Sequence, residues 1–192
     1  MDSKRYCYYC VLCLFPNRVK RKVRKEHLIL AEIQRRVPEL EKGAYHWKWD
    51  CSVDGGCSIL PPDMIFMFID FYIQIEVDED GHRRKSCVDE DSRLEIIAAD
   101  AKKPGLVLRI NPDSEPPAFK RFKLENGEAA WTATPAFKTM MDIVGGFLKR
   151  TLKRDGDSFK GIERCMIWTS SSDVATGSSS GWRAEDESLT FA

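Results

Sequence analysis

Three carboxylates, Asp63, Glu76 and Asp78, sit at the ends of a long apolar run, residues 62–78, PDMIFMFIDFYIQIEVD. Acids gathered in apolar surroundings are costly to bury unless a cation neutralises them. Hard carboxylate oxygens suit Mg²⁺, which takes one or two of them at about 2.1 Å and keeps several waters, and Mn²⁺ is the close substitute. A cation held there would act as a Lewis acid and activate a bound water. The spacing explains how the three would meet. The β-branched and aromatic content, with the interruption at Asp70, favours two short strands over a buried helix. A reversal at Ile69 and Asp70 pairs residues whose numbers total 139, which sets Asp63 opposite Glu76. Directly opposed Cβ atoms in such a hairpin lie roughly 5 Å apart. Glu76 and Asp78, two residues apart, share that face. Ile69-Asp70 lacks the Asn-Gly or Asp-Gly pair of a two-residue hairpin turn.

Pro62-Asp63, a spacer and Glu76-Val77-Asp78 together resemble the signature of the PD-(D/E)XK, restriction-endonuclease-like nucleases. Gly56-Cys57-Ser58, Pro62-Asp63, EVDEDGH at 76–82, Cys87, Glu90, Arg93-Leu94 and RINPD at 109–113 are similar, in that order, to a group of these proteins common in large DNA viruses. The resemblance spans residues 47–168. It implies a restriction-endonuclease-like α/β fold, a mixed sheet with an antiparallel hairpin flanked by helices, and DNA as partner. It also implies that Asp63 and Glu76 are metal ligands, with Asp78 in the place usually held by lysine. Asp78 is then a third ligand or, with His82, a group that positions the attacking water. Arg93 and Arg109 are candidates to stabilise transition-state charge, and an ion pair to one of the acids is the structural role open to either. The expected function is metal-dependent endonucleolytic hydrolysis of DNA. The alternative is a catalytically degenerate nuclease-like module for nucleic-acid binding or assembly, which the missing lysine favours. Three retained acids speak against that alternative, because carboxylates repel a phosphate backbone.

The elements that must position these residues come from one domain-sized chain of 192 residues, 43% hydrophobic. Thirty basic and thirty acidic residues balance, so any footprint for nucleic acid has to come from local clustering. Seven cysteines, at 7, 10, 13, 51, 57, 87 and 165, form an odd set with no secretion signal ahead of them, and reduced thiols in an intracellular, cytoplasmic or nuclear, non-secreted protein are expected. Asp63, Asp70 and Glu76 interrupt the one apolar run long enough to suggest a membrane span, so no membrane partner is expected. A homodimer is compatible with the composition.

Three segments are expected: a cysteine-containing start with a basic helix (1–43), the nuclease-like core (44–169) and a disordered tail (170–192). Cys7, Cys10 and Cys13 have a spacing that could wrap Zn²⁺, but a closed site needs a fourth ligand from His27 or a distant cysteine, and a partly buried segment is the preferred reading. Val19, Val23, Leu30, Ile33 and Val37 recur at helical spacing over 17–37. The polar face of that helix carries Arg18, Lys20, Arg21, Lys22, Arg24, Lys25, Arg35 and Arg36, a density suited to phosphate contacts or to an import signal. A strand is expected over 45–53 beside the hairpin, a helix over 89–102, a buried strand over 106–110, and a Pro-rich charged connection over 112–134. A second long helix at 134–153 and a last strand at 163–169 complete the α/β pattern.

Overall fold

The computed structural model describes residues 24–49, 53, 61–78, 87–123, 129–159, 161–169 and 182–189. Its elements in chain order are helices α1 (Lys25–Arg36) and α2 (Glu39–Gly43), strands β1 (His46–Trp49), β2 (Met64–Met67) and β3 (Tyr72–Val77), and helix α3 (Cys87–Ala101). Strands β4 (Gly105–Ile110), β5 (Phe119–Lys123) and β6 (Ala129–Ala133), helix α4 (Pro135–Thr151) and strands β7 (Ile162–Thr169) and β8 (Trp182–Leu189) follow.

Among the described residues one mixed sheet runs in the order β1-β2-β3-β4-β7-β8, and β5-β6 forms a small sheet of its own. The chain is thus a mixed α/β fold. Strands β1 to β3 form an antiparallel meander, β3, β4 and β7 are parallel, and β8 returns antiparallel. The hairpin has the expected register: Met64 faces Ile75 and Met67 faces Tyr72. The reversal falls at Ile69 and Asp70, between Phe68 and Phe71. Phe68 N–H donates to Phe71 O at 2.9 Å, the two rings stack at 4.5 Å, Phe71 stacks on Phe159 at 4.7 Å, and Lys103 Nζ donates to Phe68 O at 2.7 Å. Aromatic stacking and a lysine clamp thus hold a turn that lacks glycine chemistry, and Ile69 is left 79% exposed at its tip.

Alternation along β2 and β3 sends the two sides of the sheet to different helices. Met64, Phe66, Ile73 and Ile75 pack with Ile29, Leu30 and Ile33 of α1 and Met140, Met141, Val144 and Leu148 of α4. Ile65, Met67, Tyr72 and Val107 pack with Leu94, Ile97, Ala98 and Ala101 of α3. Three layers result, with both helix stripes the ones legible in the sequence. Gly105 opens β4 directly opposite Tyr72; a Cβ there would lie 2.4 Å from the Tyr72 ring and 2.6 Å from its carbonyl oxygen.

Several expectations need correction. The helix expected from residue 17 begins at Lys25, because Arg24 is extended (φ −83°, ψ 156°), and residues 17–23 lie outside the described set. The charged connection over 112–134 contains the β5-β6 hairpin, whose period-2 signal is diluted by exposed Lys120, Arg121 and Lys123. The tail is not wholly disordered, since β8 pairs along the length of β7 and sets Glu187 opposite Arg164. An acid-rich composition reads as disorder, yet it is also how edge strands are kept soluble. Arg18, Lys20, Arg21 and Lys22 of the expected polar face lie outside the described residues, and its described members are engaged within the protein: Lys25 is buried against Asp113, Arg35 and Arg36 bind Glu32, Arg36 also pairs with Asp142, and Arg24 pairs with Glu26.

Candidate active site

Asp63 immediately precedes β2, and the hairpin register carries it opposite Glu76 on the side of the sheet covered by α3. Its Oδ2 accepts the Val77 N–H at 2.7 Å, which ties the start of one strand to the end of the other. Glu76 is 5% exposed and its neighbour two along, Asp78, is 6% exposed. Both oxygens of Glu76 accept from Arg93 Nη2 at 3.0 Å, and Oε1 also accepts from Gln74 Nε2 at 2.6 Å. Arg93 is held in place by a second bond, to Pro61 O at 2.8 Å. Parallel pairing of β3 with β4 sets Arg109 opposite Glu76, and its Nε donates to Asp78 Oδ2 at 2.8 Å. Asp78 is further fixed through its backbone N–H, which donates to Ile110 O.

Burial pushes the Glu76 carboxyl up to about 7, and the nearby Asp63 charge adds to this, against the opposing pull of Arg93 and Gln74. Asp63 is also raised, first by burial, with the Asp78 charge adding to it; the Val77 N–H, Arg93 and Arg24 oppose the rise. Among the described residues, burial thus outweighs the pull of Arg93 at both acids. Among the described residues no group of three His, Cys, Asp or Glu side chains is gathered closely enough to hold a metal ion. The three-ligand set expected for Asp63, Glu76 and Asp78 thus resolves into a pair, with Asp78 drawn to Arg109.

Arg93 and Arg109 both take the structural role open to them, as ion-pair partners of Glu76 and Asp78. His82 lies outside the described residues, as do Cys7, Cys10 and Cys13, the candidate Zn²⁺ ligands. His27, a candidate fourth ligand, sits edge-on to Trp49 at 4.7 Å and 3.6 Å from Glu26. Sequence reasoning passed over Gln74, although its position two before Glu76 on a strand places it on the same face. It also missed the buried Lys25–Asp113 pair, 2.5 Å apart with the ammonium 4.3 Å over the Trp131 ring, which ties the start of α1 to the loop after β4. Comparison with protein-family models, curated proteins and solved structures gave no match.

Proposed function

We propose that the protein is a metal-dependent endonuclease that hydrolyses DNA phosphodiester bonds on a restriction-endonuclease-like fold. One observation carries the reading: Asp63 and Glu76 lie opposite each other in the hairpin register, in surroundings that raise both carboxyls, first by burial. A stable fold gains nothing from that arrangement without a cation. Asp63 and Glu76 would hold Mg²⁺ or Mn²⁺, which when bound supplies Lewis-acid polarisation of the phosphoryl group and activation of water. Arg93, now on Glu76 and Pro61 O, offers its guanidinium to a phosphate oxygen once a cation takes over the carboxylate. Asp78, fixed by Arg109, stands beside the pair as an acceptor for the proton of an attacking water. The reading implies an intracellular protein that meets DNA.

A second reading is favoured by the ion pairs themselves. Arg93 on Glu76 and Arg109 on Asp78 could be a permanent structural network in a nuclease-like binding module. Incubation of the purified protein with plasmid DNA and Mg²⁺ or Mn²⁺, with Asp63→Asn alongside and calorimetric titration of the metal, separates the two. Metal-stimulated cleavage and metal uptake, both lost in Asp63→Asn, support the enzyme. Neither cleavage nor Asp63-dependent uptake in the wild type overturns it in favour of the binding module.

A further inference from the structure

We propose that strand β1, the edge of the sheet among the described residues, is a stacking track for single-stranded DNA; the inference deepens the nuclease reading and rests on it for the choice of partner. Tyr45, Trp47 and Trp49 alternate along one side of the strand and are 62%, 38% and 40% exposed, although a soluble surface seldom gathers large aromatic rings in a row. Among the described residues each ring has a fixed neighbour. Trp47 stacks on Phe66 with centroids 6.2 Å apart, and His27 meets Trp49 edge-on. Lys103 Nζ lies 4.7 Å over the Tyr45 ring and 3.3 Å from its hydroxyl oxygen. Rings fixed in this way cost little entropy to present, which is what a preorganised stacking surface needs.

Spacing and charge select the occupant. Alternate residues on a strand are about 6.8 Å apart, twice the roughly 3.4 Å rise per nucleotide of a stacked strand, so the track leaves room for one flat ring between neighbours. A paired duplex shields its base faces and cannot use such a row, whereas an opened strand can, because every base has a π-face. Lysines flank the track. Lys42 is exposed in the last turn of α2, three residues before Tyr45, and Lys103 caps the Tyr45 end, so backbone phosphates meet positive charge there. At the other end Trp49 pairs with Met64, the residue that follows Asp63; the rings lie on the α1 and α4 side of the sheet and the acids on the α3 side, so a strand on the row would cross the β1 edge to reach them.

The test is fluorescence titration of the full chain with an oligo-dT strand, in EDTA so that binding is read without cleavage. Wild-type protein is expected to show tryptophan quenching and to bind the single strand more tightly than a duplex of equal length. Trp47→Ala and Trp49→Ala should each weaken single-strand binding roughly tenfold. Trp47→Phe and Trp49→Phe should recover most of the affinity, which a loss of folding would not allow. Equal single-strand affinity in wild type and both alanine variants overturns the proposal. So does a concentration-dependent dimer in sedimentation that the alanine variants abolish without any effect on DNA, since the row would then be covered by a second copy of the chain. If neither Mg²⁺ nor Mn²⁺ supports cleavage while ring-dependent binding persists, the nuclease reading fails and the track stands.

Discussion

Replacing Glu76 by Gln should stabilise the metal-free protein, by an amount that depends on pH in one particular way. In the fold the carboxyl is raised to about 7 from 4.5, mainly by burial and then by Asp63. A raised acid contributes stability that is fully present below its unfolded value and is lost as pH rises through the folded one. The wild type should therefore lose stability between about pH 4.5 and 7, at close to 1.4 kcal/mol per pH unit, up to a total of about 3 kcal/mol. Gln is a fixed stand-in for the protonated carboxyl and keeps an acceptor for Arg93, so the variant should lack this loss. Urea unfolding in EDTA at pH 5, 6, 7 and 8 reads the difference. It should be below about 1 kcal/mol at pH 5, grow steadily, and level off above pH 7 at about 3 kcal/mol, or roughly 10 °C in melting temperature. Adding Mg²⁺ at pH 8 should then raise the wild type and leave the variant unchanged. A gain of the same size at every pH, or a variant less stable than wild type at pH 8, would refute the reasoning. In the second case the Arg93 charge would have mattered more than the burial of Glu76.

Three further perturbations probe the frame around the acids. Gly105→Ala should cost about 2 kcal/mol or more, because the new Cβ meets the Tyr72 ring and carbonyl inside the contact distance of any real carbon; thermal melting checks it. Lys25→Met should cost about 2 kcal/mol in urea unfolding by stranding Asp113, toward the lower end for a buried pair because Asp113 keeps about a fifth of its side-chain surface exposed. Removing residues 170–192, which composition marks as dispensable, should lower the melting temperature and promote self-association in size-exclusion chromatography, since the backbone edge of β7 loses β8.

What the sequence revealed, and what it hid, divides along local and non-local lines. The hairpin register was legible because side-chain period and turn position together fix it, and a slip of one residue would have turned Asp63 away from Glu76. The apolar stripes of α3 and α4 were legible for the same local reason. The ion pairs were not: Arg93 to Glu76 spans 17 positions, Arg109 to Asp78 31, and Lys25 to Asp113 88, and no local period links such residues. Their partners decide the chemistry. Three acids on one face point to a three-ligand centre, but the strand crossing that sets β4 beside β3 gives Asp78 its own arginine, while Glu76 binds Arg93 and Asp63 only feels its charge. An aspartate at position 78, where the signature that the sequence resembles carries lysine, fits this layout. A lysine there would face Arg109 at the place where Asp78 now forms an ion pair, so substituting it alone would set two cations together in a buried site. Asp78 and Arg109 are thus an exchange that holds together only as a pair, and Asp78→Lys should recover its stability only when Arg109 is changed with it.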